Sequence, residues 1–299
     1  RNPAETISML GRLTQWVRAL LLLREERARA EPSLALLTAA ASACKRAARW
    51  AEAVSLLTEM RASGFRLDVV SFSSIMSACE KASRWGRVLS LLAEMRAEGV
   101  EPNVVSYSAA IGACGRGGRW ELAALLAGAM RRRGPQPDAV SCVALASACE
   151  RGSQWLAALR VVLEMRCHCL SPGLAGYSAA VSACEKGGLW KEALAFHSAM
   201  RRQGLPPNAS GCNAALGACE RAAQWAPALL LLSEARRQRL AVDAVGKLAA
   251  LRACERGQQR PRAEELIAQF GRRPGGALLR AAADAVAGPL PTSARVRWR

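Results

Sequence analysis

A 35-residue period constrains this 299-residue chain more than any other feature. Residues 69 to 103, VVSFSSIMSACEKASRWGRVLSLLAEMRAEGVEPN, are followed by VVSYSAAIGACGRGGRWELAALLAGAMRRRGPQPD, which repeats the pattern almost position for position. Three landmarks keep one register. Cysteines recur at Cys44, Cys79, Cys114, Cys149, Cys184, Cys219 and Cys254, each 35 residues from the last. Tryptophans follow six residues later at Trp50, Trp85, Trp120, Trp155, Trp190 and Trp225, with Arg260 in the last place. Met60, Met95, Met130, Met165 and Met200 hold a third place, taken later by Ala235 and Phe270. A fixed period of this length marks a solenoid, because one unit is too small to bury its own apolar face and does so against its neighbours. Such an array needs no central core, so one elongated domain is expected where length alone suggests about two globular ones.

The period divides the chain at 34–68, 69–103, 104–138, 139–173, 174–208 and 209–243, with a degenerate unit at 244–278 and a basic tail at 279–299. Residues 1–33 read as a worn or truncated first unit, since SMLGRLTQW ending at Trp16 echoes SACKRAARW ending at Trp50 one residue short; a longer native array is therefore expected. Within a unit the apolar spacing is helical twice. Tyr107, Ala110, Ile111 and Cys114 form one stripe, and Trp85, Val88, Leu89, Leu92 and Met95 form the other. The small and basic link between them is short enough to require an antiparallel pair. Glycine should stop each second helix, as at Gly64, Gly99, Gly134 and Gly204, and a helix-starting cap follows at Asp68, Asn103, Asp138, Asn208 or Asp243. The tail from Gly271 carries six arginines against the single acid Asp284 and reads as a terminal helix plus a flexible basic end.

A net charge of +18 and a pI near 10.5 point to a polyanion partner more than to a simple solubility charge. Seven of the eleven cysteines sit on the period. Equivalent positions on stacked helices lie roughly 8–10 Å apart, beyond the reach of a disulfide, so these are buried packing residues of a reducing compartment. Cys167, His168 and Cys169 form the one dense Cys/His cluster, and without a second ligand pair at metal spacing no metal is expected. No apolar run approaches the roughly 20 residues that span a bilayer, so no membrane partner is expected.

Helical hairpins with VVSYSAAI-type openings and Met-xxx-Gly-xxx-Pro-Asp/Asn endings resemble the pentatricopeptide repeat family, over residues 34–243 well and over the flanking units weakly. The tetratricopeptide family has a period one residue shorter and a Trp-Leu-Gly-Tyr opening that no unit carries. The resemblance implies an all-α right-handed superhelical solenoid whose first helices line a groove for single-stranded RNA, with one base per repeat. It implies that the fifth and last residues of each unit read the base. These are Thr38 with Asp68, Ser73 with Asn103, Ser108 with Asp138, Val143 with Gly173, Ser178 with Asn208, and Asn213 with Asp243. By the family's pairing rule they read G, A, G, any base, A and U from 5′ to 3′. The second residues Val70, Val105 and Val140 would pack on base faces, and Ala175 and Ser210 would hold less tightly. Leu248 with Leu278 would be mute.

Each reader also has a structural role: serine suits a first helical turn, and Asp or Asn caps a helix whatever the function. Their joint variation, polar at both places in five units and apolar in the other, favours reading. The tryptophans open the second helix's apolar stripe and are assigned to inter-helix packing at the cost of a buried tryptophan, about 3–5 kcal/mol each, rather than to base stacking. Histidine occurs only at His168 and His197, no deaminase signature follows the array, and Gly115–Gly118 lacks the Lys-Ser/Thr of a phosphate loop, so no enzyme activity and no cofactor are expected. Acids recur at Glu80, Glu150, Glu185 and Glu220, as a repeated salt-bridge position would. The expected role is sequence-selective binding of an organellar transcript by a monomer, in a mitochondrion or chloroplast, for RNA processing, stabilisation or translation, with any chemistry left to a separate RNA-processing enzyme. The alternative is a protein-binding scaffold that uses the same concave surface.

Overall fold

The computed structural model describes residues 3–12, 16–29, 33–206, 208–238 and 240–271. The regular structure among them is all α-helical and falls into two compact units. The first holds α1 (Pro3–Arg12), α2 (Trp16–Arg29), α3 (Leu34–Arg46), α4 (Trp50–Ala62), α5 (Val69–Lys81), α6 (Trp85–Ala97), α7 (Val104–Arg116), α8 (Trp120–Arg133) and α9 (Ala139–Arg151). Helix α10 (Trp155–Cys167) is divided, its first six residues grouping with the second unit and the remainder with the first. The second unit continues with α11 (Gly173–Gly187), α12 (Trp190–Arg202), α13 (Ala209–Arg221), α14 (Trp225–Arg237), α15 (Ala244–Arg256) and α16 (Arg260–Gly271). The basic tail at 279–299 and Leu278 lie outside the described residues.

In the first unit α1 packs on α3, α3 on α5, α5 on α7 and α7 on α9, while α2, α4, α6 and α8 each pack on the first helix of the next hairpin. The second unit repeats the scheme, α11 on α13 and α13 on α15, with α12 on α13 and α14 on α15. First helices are therefore covered on several sides, and every residue from Ser71 to Cys79 and from Ser106 to Gly115 is buried. Small residues permit this proximity: a Cβ added to Gly115 would stand 2.7 Å from the Ala148 Cβ. Phe72, Ile75, Met76, Leu91 and Met95 are fully buried between the layers, each contributing about 1.5–3 kcal/mol by leaving water.

The periodic cysteines and methionines mark helix ends. The Cys44, Cys79, Cys114, Cys149, Cys184, Cys219 and Cys254 carbonyls each accept the N–H five residues on, at 2.8–3.0 Å. That bond closes a Schellman turn, whose penultimate residue must be left-handed. Gly118 and Gly188 fill that place without strain, whereas Ala48, Ser83, Ser153, Ala223 and Gln258 adopt φ of +54 to +59° there. Met60, Met95 and Met200 serve the second helices in the same way, through Phe65, Val100 and Leu205, with Gly64, Gly99 and Gly204 left-handed. Gly134 departs from this expectation. Its φ of −114° and ψ of −169° are extended, because Pro135 has no N–H to donate and biases the preceding residue toward extended backbone.

All seven periodic cysteines are buried, and burial pushes the thiols of Cys44, Cys79 and Cys219 up to about 11 and that of Cys184 to about 12. The six periodic tryptophans are half-buried rather than buried, so the cost expected of a buried ring does not apply to them. Trp85, Trp120 and Trp155 lie at seams between hairpins: a Cβ on Gly117, Gly152 or Gly187 would collide with them. Arg49, Arg84 and Arg119 cover Trp16, Trp50 and Trp85 at 4.5, 4.9 and 5.2 Å from the ring centroids. Ion pairs also join neighbouring hairpins, including Arg61 with Glu94 at 2.9 Å, Arg131 with Glu164 at 2.9 Å, Arg116 with Glu80, and Arg201 with Glu234. These pairs are partly exposed at the surface, and each contributes about 0–1 kcal/mol.

Candidate nucleic-acid interface

The last residue of a unit caps the first helix of the next. An Oδ1 atom accepts the backbone N–H three residues on, from Asp68 to Ser71 at 2.8 Å, Asn103 to Ser106 at 2.9 Å, and Asp138 to Ser141 at 2.8 Å in the first compact unit. In the second, Asn208 accepts from Gly211 at 2.7 Å and Asp243 from Gly246 at 3.1 Å. The cap decides what each side chain can offer a ligand. A backbone N–H demands an acceptor, so the carboxamide oxygen of Asn103 and Asn208 turns inward and the NH2 group is left to donate. An aspartate spends one oxygen on the cap and keeps the other as an acceptor. Asn103 is held more firmly, because the Ser106 hydroxyl also reaches its Oδ1 at 3.1 Å. Gly173, the last residue of its unit, lies within α11, which begins after Pro172 with no side-chain cap.

The fifth residues sit one turn into the same helices. Ser73 and Ser108 are buried, and Thr38, Val143, Ser178 and Asn213 are half-buried. Thr38 Oγ1 donates to the Leu34 carbonyl at 2.8 Å, Ser73 Oγ to Val70 at 3.2 Å, and Ser108 Oγ to Val104 at 2.7 Å. Each hydroxyl thereby spends its proton on its own helix and keeps its lone pairs. Ser178 Oγ and Asn213 Oδ1 are buried without a hydrogen-bond partner. Buried polar atoms left unpaired invite explanation, and one explanation is a ligand that supplies the missing bond.

Fifth and last residues are brought together by the third residue of the following unit, a position that sequence reasoning missed. Ser71, whose N–H is capped by Asp68, has its hydroxyl 3.4 Å from Thr38 Oγ1; Thr38 has already given its proton to Leu34, so Ser71 is the donor. In the second compact unit the Asn213 carboxamide lies against Gly246, whose N–H is capped by Asp243. The signal was present as Ser71, Ser106 and Ser141 against Gly176, Gly211 and Gly246, but small residues on a packed helix read as ordinary packing.

Val70, Val105, Val140 and Val245, all second residues, are 56, 45, 64 and 68 % exposed and form an apolar position repeated on the first helices. The equivalent Ala175 and Ser210 are exposed too. Residue 13 of every unit is basic, at Arg46, Lys81, Arg116, Arg151, Lys186, Arg221 and Arg256, and all but Lys186 are exposed. Eleven positions on a helix amount to three turns and a small remainder, so residues 2 and 13 share a face about 16 Å apart. Among the described residues no three His, Cys, Asp or Glu side chains converge to hold a metal ion. No helix among them is long and apolar enough to cross a membrane.

Stacked helical hairpins of one 35-residue period define a helical-repeat protein. Family models described as "Pentatricopeptide repeat domain" (residues 55–117 and 125–187) and "PPR repeat" (residues 105–135 and 176–205) match the chain, together covering 55 to 205. The chain belongs to the pentatricopeptide repeat family. It is similar to the crystal structure of the pentatricopeptide repeat protein PPR10 from maize, with 27% identity and a TM-score of 0.61, covering 96% of this chain and 44% of that one. It is also similar in fold to PPR10 in complex with an 18-nt psaJ RNA element, with 24% identity and a TM-score of 0.54, covering 96% and 49%. The chain thus spans less than half the length of those structures. No curated protein sequence matches it significantly.

Proposed function

We propose that the chain binds single-stranded RNA with one base per unit, reading G-A-G-N-A-U from 5′ to 3′. The observation that carries this reading is the capping geometry, which turns each last residue into a donor at Asn103 and Asn208 and an acceptor at Asp68, Asp138 and Asp243. Guanine and uracil carry a ring N–H on the Watson–Crick edge, which an aspartate oxygen accepts. Adenine carries a bare ring nitrogen there, which an asparagine NH2 satisfies. The fifth residue adds size: threonine or serine leaves room for a purine, and the longer Asn213 fills that room and favours uracil. Val143 and Gly173 offer no side-chain hydrogen bond, so the fourth base is free. G-A-G falls to residues of the first compact unit and A-U to residues of the second.

Exposed Val70, Val105 and Val140 supply apolar surface for base faces, and the basic residue closing each first helix supplies attraction for the backbone. Family membership and the RNA-bound form of PPR10 support RNA binding. The protein acts by occupying its transcript, protecting an end, remodelling a structure or presenting a site to a separate processing enzyme. The transcript we propose is an organellar one, in a mitochondrion or chloroplast. Binding of GAGNAU, its shuffled form and its complement at two salt concentrations tests this. Preference for GAGNAU at both is the expected result. Equal binding that salt abolishes would make the chain a general polyanion binder, and RNA indifference with capture of a defined polypeptide would support a protein scaffold.

A further inference from the structure

We propose that the third residue of the following unit is a specificity determinant that works by positioning the reading pair, and that Gly246 does this for Asn213. The inference rests on the base-reading function just proposed. Gly246 occupies the third position of its unit, inside the first turn of α15, and its N–H is capped by Asp243 at 3.1 Å. A Cβ built there would fall within the envelope of Asn213 Oδ1 and 2.7 Å from Val242 Cγ1. Both obstructing atoms are the far ends of side chains, so an added methyl group displaces Asn213 and Val242 rather than the backbone. Asn213 Oδ1 is buried and has no hydrogen-bond partner, so no bond of its own holds it against that displacement. Absence of a side chain at residue 246 is what lets the carboxamide lie against the helix turn that Asp243 caps.

In the first compact unit the same position carries a hydroxyl at Ser71, Ser106 and Ser141. Ser71 sends its hydroxyl to Thr38 at 3.4 Å, and Ser106 sends its own to the Asn103 carboxamide at 3.1 Å. Ser106 has a competing acceptor in Met95 Sδ at 3.7 Å, but a carboxamide oxygen is closer and a better acceptor than a thioether. Ser141 instead completes a capping box with the Asp138 backbone, its Oγ accepting from Asp138 N at 3.0 Å and donating to Asp138 O at 2.9 Å. Serine therefore follows the short readers of the first compact unit, whereas in the second glycine follows both the short reader Ser178, at Gly211, and the long reader Asn213, at Gly246. In each arrangement the third residue touches the reading pair or its cap.

The test is Gly246→Ala, made in the native background and again with Asn213→Ser, reading affinity for GAGNAU against the same RNA with C or G at the sixth base. With Asn213 present, Gly246→Ala should reduce the preference for uracil about five- to tenfold, the worth of one reading contact. With Asn213→Ser, preference at the sixth base should move to guanine and Gly246→Ala should leave it unchanged. Alanine is a better helix former than glycine, and thermal melting of both variants checks that folding is retained. A uracil preference that survives Gly246→Ala, or one that falls equally in both backgrounds, overturns the inference and leaves base reading intact. Indifference of the native protein to the sixth base overturns the base-reading function and this inference with it.

Discussion

Folding of the second compact unit should weaken as pH drops below about 6.5, the ordinary pKa of an imidazole, because His197 is held neutral in the native state. His197 lies buried on α12, its Nε2 lacks a hydrogen-bond partner, and burial first, then the charge of Arg201 one turn on, pushes its pKa down. Above pH 6.5 the side chain is neutral in folded and unfolded chains alike and stability is at its full value. Below it the unfolded chain takes up a proton that the native state refuses, and stability falls by about 1.4 kcal/mol per pH unit until the native pKa is reached. His197→Leu removes the titrating group while keeping an apolar body in the site. Urea unfolding of both proteins at pH 7.5 and 5.5 isolates the effect, since carboxylate titrations common to both cancel in the difference. The variant should gain about 1 kcal/mol on the native protein between those two values. A difference that stays constant across the range would refute the assignment of His197 as a buried neutral histidine.

Two further outcomes follow from the same structure. A thiol reagent added to the folded protein should label Cys167 and Cys169, which are exposed, and spare the nine buried cysteines, all eleven reacting after denaturation; mass mapping of the labelled peptides reads this directly. Cys169→Gly should stabilise by about 0.5–1 kcal/mol, because Cys169 holds a φ of +55° at the left-handed position that glycine fills at Gly64, Gly99 and Gly204. Calorimetric melting of the variant against the native chain checks the sign.

Much of the fold was legible because the period fixes which residues are equivalent, and helical spacing then fixes which face each presents. Asp68, Asn103, Asp138, Asn208 and Asp243 announce helix starts by chemistry that works locally, through an oxygen that reaches the N–H three residues on. The left-handed turn residues were hidden. Ala48, Ser83 and Gln258 pay a local strain that only the closing bond to the preceding cysteine carbonyl offsets, and no residue type announces that exchange. Gly134 misled because a glycine at a helix end ordinarily implies the left-handed cap, while the decisive residue was Pro135, which lacks the donor. The tryptophan stripe signalled packing but not the glycine seam or the arginines above it, since those contacts cross between units. The proposed reading pairs were visible as a pattern of two positions. The third residue joining them was not, because its role depends on which side chain of the neighbouring hairpin comes to lie against it.

The central claim is that a last residue reads its base through whichever atom the helix cap leaves over. Asn103→Asp tests it most directly, since the carboxylate keeps the cap to Ser106 and replaces an outward donor with an acceptor. Affinity for GAGNAU and GGGNAU should be measured for the native protein and the variant at one salt concentration. The account predicts that preference at the second base passes from adenine to guanine while the other positions keep theirs. A variant that retains the adenine preference, or loses affinity equally for both RNAs, would contradict it.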